Sequence, residues 1–564
     1  MLFERGPSWS NYRRGALRED VVAAFVVSVL LIPQSLAYAL LAGLPPQVGL
    51  YASLLPLVAY AAFGSSPLLG VGPVAVLALM IAQALAQAPS EVGPQAAALV
   101  LAAQVGILLA LAAWLRLDAL AALLSVPVLH GFETGATVSI ALSQLPVLLG
   151  SSARGVNLPQ VLGAWAHAAT VWVPLTALYG GVALLALALA RRYAARGLRR
   201  WLGASRAVIA ARLAPLLVLV LAIAAAFATD APGHGVALVG ALPKLAPSFA
   251  LPLLDAALWW ALLPSALLIA LVGYVSSLVV AESLARRQGG RVDPRRELAG
   301  LGAANIAAAL SGGMPVAGSF SRSVINLDAG SRTRMAGVYT AALMALAMLL
   351  LARPLAWLPT SVLAATIIVA VLSVIDFAPF REAWLYSRSE CALMVAVAAL
   401  TLLQSVGWAL GLGVAASIAL LLQRSARPHV ALVGRIKGTE HYRNVGRHEV
   451  LLTPGVLALR IDESLLFTNA RQLVDVVAQQ LAAHTEARRV VLLMSPVNRI
   501  DLSGLVALRA LHDMLAARGV RLDLSEVKGP VLDALRAGGW SRWFSGRVFL
   551  SHHQGMQDEH GGAA

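Results

Sequence analysis

An amide and a phenol one helical turn apart, Gln34 and Tyr38, stand inside an apolar run that follows Asp20 and ends near residue 42. Polar groups at bilayer depth are expensive and usually functional. An interhelical hydrogen bond is the plainer reading of Gln34, and packing that of Tyr38. Ser321 and Arg322 interrupt another apolar region far downstream. An arginine at that depth must be paired or face a cavity, so it is either half of a buried ion pair or a cationic group that favours an anion. Glu133, with His130 three residues before it, is a second acid in an apolar run and reads as a structural pair. No nucleophile–base or metal constellation appears, which argues against an enzyme and against any metal or other cofactor.

The stretch Gly70-Val71-Gly72-Pro73-Val74-Ala75 has a partial echo in Pro315-Val316-Ala317. Proline suits a first helical turn, where its missing N–H costs nothing, and glycines ahead of it allow an irregular, close-packed backbone. Each copy therefore predicts an extended segment turning into a helix partway through an apolar region, the first helix starting at Pro73 and the second near Ser319. Interrupted segments at corresponding places in two halves point to the binding site of a secondary transporter. Each helix start would carry about half a positive charge and free N–H donors, and two of them face to face form an anion site.

The elements that must position these residues follow from composition. The chain has 564 residues, 59% hydrophobic and 13% charged, with mean hydropathy +0.77. Soluble domains carry about a quarter charged residues, so most of this chain belongs in a bilayer. The first twenty residues are polar and include Arg5, Arg13, Arg14 and Arg18, unlike a removable signal peptide. Cys391, the single cysteine, leaves no internal disulfide and reads as a small core residue. A net charge of +15 would suit nucleic acid, but the basic residues sit in short loops between apolar runs.

Fourteen apolar runs are read: 21–42, 47–63, one starting at 73, 95–115, 118–140, 170–190, 208–229, 257–285, 297–310, 319–329, 335–352, 357–374, 391–404 and 406–423. Asp20 is read as the cap of the first. With the N-terminus inside, even-numbered spans end inside. The loop after the sixth holds seven arginines (Arg191, Arg192, Arg196, Arg199, Arg200, Arg206, Arg212), and that after the eighth holds five (Arg286, Arg287, Arg291, Arg295, Arg296). Arg332, Arg334, Arg381, Arg388, Arg424 and Arg427 follow later even spans, and only Arg154, Lys244 and Arg353 fall outside. This is the positive-inside pattern. Seven plus seven spans invert the second half relative to the first, so the helices at Pro73 and Ser319 both point their N-termini at the midplane.

From about residue 435 the chain reads as a small α/β domain: strands at 455–461, 465–468, 490–494 and 521–524, with helices at 470–481, 503–518 and 529–537. The boundaries expected are an N-terminal cytoplasmic segment 1–20, a transport domain 21–424, a linker 425–438, the α/β domain 439–550, and a flexible tail 551–564. Gly411-Leu412-Gly413-Val414-Ala415-Ala416 mimics a dinucleotide loop but lies inside an apolar helix, where it marks close helix packing.

These motifs together resemble the sulfate permease (SulP) family of anion transporters. The resemblance rests on Ile32-Pro33-Gln34-Ser35-Leu36-Ala37-Tyr38-Ala39, Ala42-Gly43-Leu44-Pro45-Pro46, Gly49-Leu50-Tyr51, Gly72-Pro73-Val74-Ala75-Val76 and Ser319-Phe320-Ser321-Arg322-Ser323. The C-terminal part is similar to a STAS domain, with Asp501-Leu502-Ser503-Gly504 in its characteristic loop. The resemblance implies a polytopic α-helical membrane protein, a 7+7 inverted repeat of core and gate domains plus a cytoplasmic STAS domain. Spans one to four and eight to eleven would form the mobile core of an elevator-type carrier. It implies that Gln34, Tyr38, Val74, Ala75, Phe320, Ser321 and Arg322 bind a small inorganic anion, sulfate or a similar oxyanion. Bicarbonate, chloride or a dicarboxylate shares every feature, and a STAS-signalling receptor is the rival of another class. Expected surroundings are membrane lipid of a bacterial inner membrane, both termini cytoplasmic, a homodimer, and a cytoplasmic protein partner for the STAS domain.

Two positions are singled out by comparison with the family. Ser276 stands where proton- or sodium-coupled members carry a carboxylate. A hydroxyl cannot carry that charge, so coupling through this position is absent or altered, which favours exchange or uncoupled transport. Ser503 matches the serine phosphorylated in bacterial STAS antagonists, and it also reads as a helix N-cap.

Overall fold

The computed structural model of the chain describes residues 14–557, apart from 90, 120–123, 152–154, 156, 171, 195–199, 201–213, 243–250, 374, 427 and 428. Arg5, Arg13, Arg154, Arg196, Arg199, Arg206, Arg212, Lys244, Arg427 and the end of the tail, 558–564, lie outside the described residues. The chain forms two compact units, Met1–Ala415 and Ala416–Ala564.

The first unit is helical, and each apolar run read from the sequence is helical over most of its described length. In chain order the helices are α1 Arg14–Leu41, α2 Pro46–Tyr51, α3 Leu55–Phe63, α4 Ala75–Leu85, α5 Pro94–Trp114, α6 Val126–Ser143, α7 Leu145–Leu148, α8 Leu158–Thr170, α9 Pro174–Leu189 and α10 Ala214–Ala228. They continue as α11 Ala256–Arg287, α12 Pro294–Leu310, α13 Phe320–Asp328, α14 Met335–Ala356, α15 Thr360–Leu372, α16 Ala378–Tyr386, α17 Arg388–Leu403 and α18 Val406–Ser425. Prolines open α2, α5, α9 and α12, where a missing N–H costs nothing. Among the described residues seven helices are long and apolar enough to cross a membrane. The helical unit exposes large apolar side chains such as Leu221, Phe227, Trp260, Leu350 and Trp408, a surface that lipid rather than water would cover.

Two three-residue strands interrupt this helical unit, β1 Gly70–Gly72 and β2 Ala317–Ser319. They pair antiparallel, Gly70 opposite Ser319, Val71 opposite Gly318 and Gly72 opposite Ala317.

The structure differs from the sequence reading in several local assignments. Asp20 lies inside α1 rather than capping it. Its carboxylate instead accepts from the Arg332 and Thr333 N–H groups and the Thr333 hydroxyl, fastening the turn before α14. Arg353 belongs to the last turn of α14. The first half-helix starts at Ala75, because Val74 is still extended (φ −133°, ψ 146°). The two Pro-Val-Ala copies are not equivalent: Pro73-Val74-Ala75 follows β1, whereas Pro315-Val316-Ala317 runs into β2. Gly413 does pack closely, since a Cβ there would stand 2.9 Å from Val397 and 3.0 Å from Val128.

The second unit holds a six-stranded sheet of β3 Val430–Arg435, β4 Tyr442–Asn444, β5 Val456–Ile461, β6 Arg489–Leu493, β7 Arg521–Ser525 and β8 Val548–Phe549, in the order β4-β3-β5-β6-β7-β8. Pairing is parallel from β5 to β8 and antiparallel around β3. Helices α19 Ala470–Ala483, α20 Leu502–Ala516 and α21 Gly529–Ala537 complete an apolar core around Leu459, Val490, Leu492, Val477 and Leu511. The sheet therefore begins inside the stretch read as a linker. Residues 465–468 form a turn with one bridge, Leu465 to Ile500, rather than a strand. In the tail, helix α22 His552–Gln557 buries His552 and Met556. The cap of α20 is Asp501, whose side chain accepts from the Gly504 N–H; Ser503 is an exposed first-turn residue.

Candidate functional site

Antiparallel pairing of β1 with β2 sends the helices that follow them, α4 and α13, away from the crossing in opposite directions. Neither helix has a side-chain cap: Val74 and Ser319, the N-cap residues, bond no first-turn N–H through a side chain. The amides of both first turns therefore keep their donors for something else. Beside them lies a cavity of about 150 Å³ lined by Val74, Ala75, Val76 and Leu77 on one side and by Ser319, Phe320 and Ser321 on the other. Partial positive charge from two helix starts converges on one space, an arrangement that favours an anion.

Buried polar side chains hold the crossing in place. The Ser277 hydroxyl accepts from the Gly318 N–H at 2.8 Å. Asn305 clamps Val316 at both ends, accepting from its N–H at 2.9 Å and donating to its C=O at 3.0 Å. The Gly70 N–H donates to the Ser323 hydroxyl at 2.9 Å, and the Asn326 amide donates to the Leu68 carbonyl at 3.1 Å. Short strands embedded among helices have few ladder partners, and buried backbone groups must be bonded. Sequence reading missed Ser277, Asn305 and Asn326, although an amide in the Ala-rich run around Asn305 carries the same warning of a buried polar role as Gln34.

Arg322 lies against β1 rather than in the cavity lining. It is 1% exposed and its guanidinium donates to the carbonyls of Pro73 (2.8 Å) and Gly70 (3.4 Å) and to Gln34 Oε1 (3.4 Å). No acid forms a salt bridge with it among the described residues, so a buried ion pair is absent there. Glycine permits the approach: a Cβ on Gly70 would stand 2.9 Å from the Arg322 Cβ, and one on Gly72 3.3 Å from its Nη2. The positive charge thus sits behind the helix start, adding to the field without touching the cavity.

Six of the residues expected at the anion site or the coupling position share the cavity wall: Tyr38, Val74, Ala75, Ser276, Phe320 and Ser321. Gln34 lines a neighbouring cavity of about 370 Å³ with Pro33, Arg191, Ser321 and Ala370, the last two also lining the central one. Beside and beyond Tyr38 along α1, Ala37, Leu40 and Leu41 line a third cavity of about 430 Å³. Three spaces thus succeed one another along α1, with the helix starts at the middle one. Glu133 also lines the central cavity; its Oε2 is 3.8 Å from His130 Nδ1, a loose pair. Ser503 stands apart, in the second unit.

Comparison with known proteins places this geometry. Residues 17–397 match the sulfate permease family and residues 448–555 the STAS domain. Among curated proteins, the chain is 32% identical to "Sulfate transporter 4.1, chloroplastic" of Arabidopsis thaliana, over 96% of this chain and 80% of that protein. It is 34% identical to "Probable sulfate transporter Rv1739c" of Mycobacterium tuberculosis, over 93% of this chain and 92% of that protein. Among solved structures, the murine Solute Carrier 26 family member A9 anion transporter in the inward-facing state superposes with a TM-score of 0.85 at 22% identity, covering 97% of this chain and 92% of that one. The transmembrane domain of the cyanobacterium bicarbonate transporter BicA gives 0.61 at 19% identity, covering 72% and 98%.

Proposed function

This chain belongs to the sulfate permease family of membrane anion transporters, and on that premise we propose that it carries sulfate or a similar small oxyanion by an elevator-type, alternating-access movement. The observation that carries the reading is the pair of uncapped helix starts, α4 and α13, converging on one small cavity. Its 150 Å³ equals the space of about five waters, enough for one small oxyanion. Amide donors from both first turns and the Ser321 hydroxyl supply hydrogen bonds, Arg322 adds charge from behind, and Val74, Ala75, Phe320 and Tyr38 wall the space. Gln34 holds the guanidinium and faces the neighbouring cavity, where an anion would pass. Sulfate is named first because curated relatives at 32% and 34% identity carry the names "Sulfate transporter 4.1, chloroplastic" and "Probable sulfate transporter Rv1739c"; bicarbonate, chloride and dicarboxylates are the alternatives.

Fourteen spans in two inverted halves, a bacterial inner membrane, cytoplasmic termini and a homodimer complete the proposal, supported by the arginine distribution and the family. Ser276 in place of a carboxylate argues against charge coupling at that position. The exposed Ser503 beside the α20 start is the proposed regulatory site of the STAS domain, where a phosphate would alter a partner surface. Intact mass after native purification is expected to show a phosphoryl adduct that Ser503→Ala removes. An uptake panel in proteoliposomes, with and without cation gradients, tests the transport reading. Sulfate is expected to enter and to be competed by its analogues, and Gln34→Ala or Ser321→Ala to abolish uptake. A STAS-signalling receptor without transport would take up none of the panel.

A further inference from the structure

Along α6, Glu133, Thr137 and Ile140 recur at helical spacing and form one wall of the central cavity. The opposite face of the helix is fixed. A Cβ on Gly131 or Gly135 would run into the backbone of α17, at Met394 and Ala398, so α6 lies too close to that neighbour to rotate its acid away. Glu133 thus shares the space between the two helix starts with Ser276, which comes from α11. At Ser276 the wall offers a hydroxyl, and Glu133 lines the same cavity from another helix.

An ionised carboxylate repels an oxyanion in that space, whereas a protonated one can donate its O–H to an oxyanion oxygen. We propose that Glu133 is the proton-carrying group of this transporter, taking up one proton as the oxyanion enters the central cavity and releasing it as the oxyanion leaves. The inference rests on the transport reading and deepens it by naming the coupling ion and its carrier.

The charged and titratable surroundings are sparse. On α6 itself there is His130, which is near Asp376 and Glu382. Across the cavity stands Tyr38. Helices α4, α7 and α15 carry no ionisable side chains. On α17 Arg388, Glu390 and Cys391 lie in the first turn, away from the Met394 and Ala398 contacts, and the side chain of His167 on α8 lies outside the described residues. Nothing else in the cavity lining competes with Glu133 for a proton near neutral pH.

The test is uptake of radiolabelled sulfate into proteoliposomes of the full chain across external pH, with a pH dye inside, for the native protein, Glu133→Gln and Glu133→Asp. Native uptake is expected to rise as the outside is acidified, falling toward tenfold per pH unit on the alkaline side, with inward proton movement. Glu133→Gln is expected to flatten the profile and abolish proton movement, and Glu133→Asp to retain both. Sulfate binding to the purified native protein, measured by titration calorimetry in two buffers of different ionisation enthalpy, is expected to consume about one proton per sulfate, which needs no variant to fold. A native profile that persists in Glu133→Gln, or sulfate binding without proton uptake, overturns the inference alone. Failure of the native protein to take up any anion of the panel overturns the transport reading and this inference with it.

Discussion

Arg322 brings a positive charge into the helical unit and answers it with backbone carbonyls and one amide. That choice ties it to the shape of the chain at 70–73 rather than to another side chain. Replacing it by alanine leaves the Pro73 carbonyl without its donor inside the protein, at a cost on the order of 3 kcal/mol for a hydrogen bond to a charged group. Arg322→Ala is therefore expected to lower the melting temperature of the detergent-solubilised protein and to abolish sulfate uptake. Arg322→Lys keeps the charge but lacks the fork that reaches both Pro73 and Gly70. Uptake is expected to fall by about tenfold, the equivalent of about 1.4 kcal/mol for losing the longer contact to Gly70. That a membrane arginine needs partners was legible in the sequence. Which partners was not, because carbonyl acceptors occur at every residue and leave no pattern to read. The cap of α20 shows the same limit at smaller scale: Asp501 and Ser503 are both good cap residues, and only geometry selects Asp501.

Helix interruption is the feature the sequence announced best and located least well. The glycines and Pro73 marked a break, yet the apparent repeat was misleading, since one Pro-Val-Ala copy lies after its strand and the other before. Strands of three residues carry too little periodicity to be recognised, and their pairing is a long-range property. The side chains that fix them are few, so single changes should be severe. Asn305→Leu removes both bonds to Val316 and leaves two buried backbone groups unsatisfied. Uptake is expected to be lost, with a destabilisation of about 2–4 kcal/mol read from thermal unfolding. Gly70→Val is expected to block uptake by pushing Arg322 off β1, since even a Cβ there comes within 2.9 Å of the Arg322 Cβ. Native uptake in either variant would mean that transport does not depend on the crossing of β1 with β2.

Across the whole molecule, composition separated an apolar unit from an α/β unit, and the arginine distribution gave the first its expected orientation. The second unit was legible where strands are apolar and buried, as at β6. It was not where edge strands are short, as at β4 and β8, or where a polar tail folds back. His552 in that tail is buried, donates its backbone N–H to Glu526 Oε1 and pairs its ring Nδ1 with Ser525 Oγ at 2.7 Å. Burial pushes its imidazole down to about 4, against the pull of the Glu526 carboxylate. The folded state thus favours the neutral ring, a contribution fully present above the ordinary value of 6.5 and lost as pH falls through about 4. It amounts to about 3 kcal/mol. Hydrogen exchange read by mass spectrometry is expected to show residues 548–557 loosening across that window, with a shallower dependence in His552→Gln. The antiparallel junction of β1 with β2 also bears on biogenesis. Its strand partners, Gly70 with Ser319 through Gly72 with Ala317, lie about 250 residues apart, and the Gly70 N–H also reaches the Ser323 hydroxyl 253 residues on. A ribosome must therefore deliver more than half of the polypeptide before the open backbone at 70–72 can meet its complement. Until then those amides and carbonyls depend on water or on the insertion machinery, because hydrocarbon offers them nothing, and the two halves mature together or not at all.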